Sequence, residues 1–411
     1  MGESRMGRWT LAIDFGTSFT TAVTAVDGNV VPVEIANSRY LPSTVAMEDG
    51  GALLTGPEAL QRARHEPESA VRLPKRALVA GPKVRLGGRT VATTDLVAAV
   101  LGRAAAEARA AHGGAEPAET TLTHPAGWCD DQLAALRKAA AAAGLGTVRL
   151  VAEPIAAAAH YVVGCAAAEC RAASRLDLPD GAYLAVYDLG GGTFDTAVVQ
   201  RAGAGFVLVG EPGGDPALGG EDFDERLLEL LAERAADRDP DAFDALDPAV
   251  GGPPARRARV MLRRDITEAK QALSRRVTVD LAIPGFPATF RVTRREFTEI
   301  IEADLRRTAD LLRATVTGAG LDPSDLAAVA LAGGSSRVPR VAELIAETFG
   351  ALPLMAPDPK SSVAHGALLE PVHETPPPPS PPPPASSDGG TAEAKPLWID
   401  PDPDGFLPEE W

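Results

Sequence analysis

A chain of 411 residues, 45% of them hydrophobic, has ample material for two or three domains or one large bilobed α/β unit. Its formal net charge of −16 argues against a nucleic-acid binder, because affinity for a phosphate backbone comes from clustered Lys and Arg. Three cysteines without a paired framework, a polar start and no apolar stretch of the roughly 20 residues a membrane span needs point to a cytoplasmic protein with reduced thiols.

In chain order, the apolar run 9–13 reads as a strand that breaks into Asp14-Phe15-Gly16-Thr17-Ser18-Phe19 and leaves as a second strand over 20–25. Residues 28–115 mix short β-prone runs (30–35, 43–47, 53–54) with Gly and Pro, then turn helical over 94–111. Within them Lys75, in Arg72-Leu73-Pro74-Lys75-Arg76, is either a point charge able to reach a γ-phosphate or a solvated surface lysine. A strand over 120–122 runs up to Pro125, and Asp130 or Asp131 is placed to cap the alanine-rich helix that Gly144 ends. After a strand over 148–151, Pro154 suits the first turn of a helix through Val163. Glu153, just before it, either orients a nucleophilic water or merely answers the helix dipole.

The run 183–187, the turn Asp188-Leu189-Gly190-Gly191-Gly192-Thr193-Phe194-Asp195 and the run 196–199 repeat the logic of 9–25. Three glycines let backbone N–H groups surround an anion, and carboxylates at both ends make sense beside a phosphate only with a cation such as Mg²⁺ between. Taken alone, the turn reads equally well as a hairpin with two solvated aspartates. Its recurrence suggests two related lobes that present carboxylate-tipped hairpins to one ligand. Next, Leu218-Gly219-Gly220-Glu221-Asp222-Phe223-Asp224 opens a helix to about Ala235, with glycines suited to close approach of a phosphate or of backbone. Residues 237–254 read as a loop. They precede an Arg-rich helix over 256–274, whose Arg256, Arg257, Arg259, Arg263, Arg264 and Lys270 form a basic face, most simply a solvated one. Strands over 277–283 and 289–292 and a helix over 294–317 come next. A buried-type strand over 326–331 then breaks into Ala332-Gly333-Gly334-Ser335-Ser336-Arg337-Val338-Pro339 ahead of a helix to Phe349, and the planar Arg337 guanidinium is able to stack on a base.

Together, the stretch from Ile13 to Ser18 and the turns from Asp188 to Asp195, Leu218 to Asp224 and Ala332 to Pro339 resemble the nucleotide-binding domain of the 70-kDa heat-shock chaperones, within the actin, sugar-kinase and heat-shock-protein superfamily. The resemblance runs over about residues 9–370. It implies a bilobed actin-like α/β ATPase fold, two ribonuclease-H-like lobes around a nucleotide cleft, with a flexible N-terminus at 1–8, lobe I at 9–180, lobe II at 181–370 and a disordered Pro-rich linker and acidic aromatic tail at 371–411. It also implies ATP/ADP and Mg²⁺ as cofactors. Asp14, Asp188 and Asp195 would hold Mg²⁺ and its waters, and Thr17, Ser18 and Thr193 would bind phosphates with Gly16, Gly190, Gly191, Gly192, Gly219, Gly220 and Glu221 around them. Lys75 matches the family's catalytic lysine, Glu153 its water-orienting acid, and Asp188 and Thr193 complete the catalytic set. Lys270 and Ser274 match adenosine-pocket positions, with Gly333, Gly334, Ser335, Arg337 and Val338 closing over the base.

Departures from the family pattern accompany the matches. Thr267 stands where the family has a glutamate, Gln271 where it has a basic residue and Lys360 where it carries an aspartate near the ribose. The interlobe segment reads His124-Pro125-Ala126-Gly127-Trp128, and Leu133 replaces an arginine, so the relay from nucleotide to a substrate domain reads as weakened. After Thr375 come eight prolines around Ser380, a polyproline II spacer, and from Ala385 onward seven acids oppose Lys395 among spaced aromatics that end in Trp411. The expectation is therefore an ATP-binding and ATP-hydrolysing switch without its own peptide-binding domain. It would act through a protein partner or client docked on that tail, with no nucleic acid and no membrane. The alternative is a nucleotide-sensing scaffold with negligible turnover.

Overall fold

The computed structural model describes residues 8–163 and 176–369. Cys165, Cys170, the start of the chain and the tail expected at 371–411 lie outside the described residues. Contacts divide the chain into Met1–Pro371 and Val372–Trp411, and every helix and strand named below belongs to the first unit. No helix among the described residues is long and apolar enough to cross a membrane.

The first half opens with β1 (Trp9–Phe15) and β2 (Phe19–Val26), an antiparallel hairpin closed by the expected turn, and continues into β3 (Asn29–Pro32). A small excursion comes next: β4 (Leu41–Pro42), β5 (Val45–Met47), β6 (Leu53–Thr55), α1 (Gly56–His65), β7 (Ala70–Val71), α2 (Pro74–Ala80), β8 (Lys83–Leu86) and β9 (Arg89–Ala92). The chain returns through α3 (Thr93–Ala111), β10 (Glu119–His124), α4 (Asp130–Ala142), β11 (Arg149–Ala152) and α5 (Glu153–Val163). β10 lies parallel to β1, which gives the order β11-β10-β1-β2-β3 with β4 on β2. β1 is buried almost throughout because helices cover both of its faces, α3 on one side and α11 (Ser362–Leu369) on the other.

The second half repeats the plan. β12 (Tyr183–Leu189) and β13 (Phe194–Ala202) form the antiparallel hairpin, and β14 (Gly205–Asp215) extends it. Then come α6 (Gly220–Arg238), α7 (Pro240–Asp244), α8 (Pro248–Leu273), the hairpin β15 (Thr278–Leu281) and β16 (Phe290–Thr293), and α9 (Arg294–Gly318). β17 (Leu326–Ala332) lies parallel to β12, and after α10 (Pro339–Phe349) the short β18 (Leu354–Met355) lies parallel to β17. The order β14-β13-β12-β17-β18 reproduces, strand for strand, the directions of β3-β2-β1-β10-β11. This duplication is the α/β actin-like ATPase fold.

Three local expectations are corrected. Residues 237–254 are not a loop: Asp239 caps α7, Asp247 caps α8 by accepting from the Ala249 N–H, and Pro240 and Pro248 occupy first-turn positions where a missing N–H costs nothing. The glycines and prolines that suggested a loop mark helix starts and one kink at Gly252, where φ is 61°. The cap of α4 is Cys129 rather than Asp130 or Asp131; its N–H donates to Gln132 Oε1 at 2.9 Å, and the two acids sit in the first turn, where the helix dipole favours them. Glu153 is the first residue of α5 rather than its predecessor.

α5 and α11 join the halves. α11 packs on β1, β10 and β2, α5 on β12, β13, β14 and β17, and the two helices lie against each other. The buried cluster there mixes both halves: Ala12, Val23, Ala156 to Ala159, Leu184, Val186, Ala330 and Ala364. The approach is close enough that a side chain at Gly366 would fall on the Ala156 carbonyl oxygen. Gly366→Ala is therefore expected to lower stability by about 1–3 kcal/mol in urea denaturation, while Gly127→Ala, with nothing within 4 Å of the added carbon, leaves the midpoint unchanged.

Candidate functional site

Both hairpins turn at the carboxyl ends of their first strands, so one acid from each sheet reaches the same place. Asp14 is next to last in β1 and Asp188 next to last in β12, directly opposite Asp195 of β13. From β10, the Thr123 hydroxyl donates to Asp14 Oδ1 at 2.7 Å. Pro74 starts α2 and places Lys75 in its first turn, where the ammonium donates to Glu153 Oε1 at 2.7 Å, the two side chains being 9% and 10% exposed. Lys75 is thus not the solvated surface lysine that its basic run allowed. The Trp128 ring packs over it, centroid 5.7 Å from Nζ.

The electrostatics of this group are lopsided. Burial, then Glu153, pushes the Asp14 and Asp195 carboxyls up to about 6. Burial, with Glu153, Asp195 and Asp14 all repelling, raises Asp188 well above the carboxylate range. Burial works against the charge on Lys75, but Glu153 and Asp14 outweigh it and raise its pKa. Four carboxylates therefore face one ammonium. Among the described residues, no group of three or more His, Cys, Asp or Glu is arranged to hold a metal ion directly. Even so, the donor set fits a divalent cation carrying its own waters: such an ion lowers the energy of every carboxylate at once, and Mg²⁺ surrenders its water reluctantly.

The glycines bring the loops together. A carbon added at Gly191 would collide with Ser18 Oγ, at Gly192 it would come within 2.9 Å of Thr17 Cγ2, at Gly219 within 2.7 Å of the Gly191 carbonyl oxygen and at Gly220 within 2.5 Å of Ser335 Oγ. Backbone bonds lock the arrangement: Gly190 N–H to Thr193 O at 2.9 Å, Gly220 N–H to Gly190 O at 3.1 Å and Glu221 N–H to Gly191 O at 2.7 Å. Ser18 Oγ donates to Glu221 Oε1 at 3.1 Å, and Ser335 Oγ to Gly190 O at 2.8 Å. Gly16 accepts from Ser43 Oγ at 2.8 Å. Gly333 has φ 79° and lies so close to Asp188 and Leu189 that only glycine fits.

Around the third turn the outcome is mixed. Lys270 leaves the basic face expected of its helix and turns inward, 2.8 Å from Asp224 Oδ1, while also donating to the Gly220 carbonyl. Ser335 Oγ and Lys270 Nζ both border Gly220, Gly334 lies beside the Lys360 stem, and Arg337 pairs with Asp358 at 2.7 Å instead of lying open to stack. Ser274 ends α8 one turn beyond Lys270, and its hydroxyl makes no hydrogen bond among the described residues. Val338 is buried in the core of the second half, and its N–H donates to Ser335 O at 3.1 Å. Sequence reasoning missed Arg76, which reaches across to the carbonyls of Gly192 and Pro216, and the trio Thr123, Tyr40 and Asp358. The prolines on either side of Asp358, which stiffen its backbone, were the one available signal.

The family model of the Hsp70 proteins matches residues 77–373. The chain belongs to the Hsp70 family. It is similar to the chaperone protein HscA of Pectobacterium carotovorum subsp. carotovorum (strain PC1), 32% identical over 386 residues, and to the chaperone protein DnaK of Thermotoga neapolitana, 31% identical over 373 residues. Each alignment takes in 88% of this chain and 58% of the relative, so the chain spans well under two thirds of the length of these Hsp70 proteins. Two of the departures from the family pattern now have a place in the Hsp70 fold. Thr267 donates to Asp224 Oδ2 at 3.0 Å, and Lys360 lies between the rings of Phe19 and Tyr40.

The carboxylate cluster makes a signed expectation. A carboxyl whose pKa is higher folded than unfolded takes up protons on folding, so stability falls as pH rises from about 4 to about 6 and stays lower above that. Asp195→Asn should therefore stabilise the ligand-free protein by about 1–3 kcal/mol at pH 8, with the gain gone near pH 4, as read by urea unfolding at the two pH values.

Proposed function

We propose that the chain binds ATP and ADP with Mg²⁺ between its two halves and hydrolyses ATP with water as the nucleophile. The observation that carries this reading is the cluster of four carboxylates around one lysine at the ends of two duplicated hairpins. Asp14, Asp188 and Asp195 would hold the ion through its waters, and the backbone of 190–193 with Thr17, Ser18 and Thr193 would donate to phosphate oxygens. The bound ion supplies charge neutralisation at the phosphates. Lys75 would add a second positive charge close to it, and Glu153, hydrogen-bonded to Lys75, would orient water and accept a proton from it. The nucleoside end would lie along Gly220, Lys270 and Gly334 to Arg337.

As a working protein this would be an ATP-driven, chaperone-like switch whose open and closed cleft states are read by a protein partner, with 9–180 and 181–370 as the moving lobes and 371–411 as a docking segment. A second reading, a nucleotide-sensing scaffold with negligible turnover, is favoured by one feature: Lys75 and Glu153, the two groups turnover needs, neutralise each other in the ion pair.

Steady-state ATPase separates them. The wild-type protein with Mg²⁺ should hydrolyse ATP, and Lys75→Ala should lose about a hundredfold or more in rate while still binding nucleotide. A wild-type rate no higher than that of the variant would leave only the scaffold.

A further inference from the structure

The nucleoside end of the cleft carries a cation that the rest of the site does not use. Lys360 comes after the rigid Pro357-Asp358-Pro359 segment, and its stem runs beside Gly334, whose added carbon would lie 3.7 Å from Lys360 Cδ. Its Nζ sits 3.2 Å from the Phe19 ring centroid and 4.1 Å from that of Tyr40. Phe19 is the residue after Ser18, so the ammonium lies in the seam between the first hairpin turn and the Gly333 to Arg337 turn.

Lys270 and Arg337 lie close enough to Lys360 to disfavour its charge, and the acids facing them are already engaged. Asp224 holds Lys270 and accepts from Thr267. Asp358 holds Arg337 through Oδ1 and accepts from the Tyr40 hydroxyl at 2.6 Å and Ser361 Oγ at 2.7 Å through Oδ2. Among the described residues no carboxylate lies within ion-pair distance of Lys360, whose ammonium packs against the Phe19 and Tyr40 rings. Burial, with Arg337 and Lys270 nearby and only partly offset by Asp358, lowers its pKa to about 7. Tyr40 cannot serve as its counter-ion, because burial and the bond to Asp358 push the phenol up to about 12. The cleft is therefore polarised, acid in excess around Asp188 and cation in excess at Lys360.

Resting on the nucleotide reading above, we propose that Lys360 is a specificity-determining residue that selects a nucleotide bearing a further phosphate on its ribose. An anion there restores the full charge of a desolvated ammonium and supplies the hydrogen-bond acceptor that the aromatic faces lack. A plain ribose hydroxyl offers much less. Phe19 and Tyr40 act as the walls that keep the ammonium in place when no ligand is bound.

The test is calorimetric titration, with Mg²⁺ present, of ADP and of ADP phosphorylated at the ribose 2′ or 3′ position. The wild-type protein should bind one of the phosphorylated forms about tenfold or more tightly than ADP, the worth of one charge-assisted hydrogen bond. Lys360→Met keeps the stem and drops the charge, so it should bring that ratio to about one whatever its effect on ADP affinity itself, and Lys360→Arg should keep the preference. A wild-type ratio of one or below, or a preference that survives in Lys360→Met, overturns the assignment while leaving the nucleotide site intact. Absence of binding by every nucleotide, ADP included, instead defeats the nucleotide reading on which it rests.

Discussion

Too much buried negative charge gathered around one ammonium is the constraint on which the rest of the structure depends. Asp14, Asp188, Asp195 and Glu153 come from two sheets and a helix, and only Lys75 answers them. In the unliganded chain that is unfavourable, since Glu153 repels Asp14, Asp188 and Asp195 and the other two repel Asp188, and proteins tolerate such strain where a ligand relieves it. The duplicated fold explains how the strain is sustained. Asp14 and Asp188 sit at the ends of buried strands and Glu153 at the buried start of α5, so the backbone that carries them cannot relax away from its neighbours.

A second constraint arises from the two-half plan. Along their inner side the halves share a buried core through α5 and α11, where Gly366 lets the helices touch backbone to backbone. Toward solvent they are joined by polar bonds between loops and helix starts: Ser18 to Glu221, Arg76 to Gly192 and Pro216, and Tyr40 to Asp358. Apolar burial holds one side and exchangeable hydrogen bonds the other. That division suits a cleft that opens on the bonded side and flexes about the packed one.

How much of this could be read in the sequence differs by level. The hairpins were legible because an apolar run, an aspartate, glycines and hydroxyls recur in the same order twice; that recurrence suggested two related lobes, and the actin-like fold class came only with the family resemblance of the four turns. The helices around Gly251, Gly252 and Pro254 were not, because glycine and proline punctuate helix starts as readily as loops. Lys75 looked ordinary in its basic run; its burial is set by α2 crossing to Glu153, 78 positions away in sequence, and no local pattern records that. Arg337 was expected to stack on a base rather than to pair with Asp358, and the setting of Lys360 depends on Tyr40 arriving from a loop more than three hundred residues earlier. Long-range charge pairing is invisible to periodicity, whereas turn chemistry is written locally.

The acid cluster, on this view, exists to be neutralised by a divalent cation together with the phosphates it carries. Thermal unfolding of the wild-type protein with Mg²⁺ alone, ATP alone and both together tests this most directly. The pair should raise the midpoint by clearly more than the sum of the separate shifts, because ion and phosphates each complete the other's site. Shifts that merely add, or no shift with both present, would contradict it.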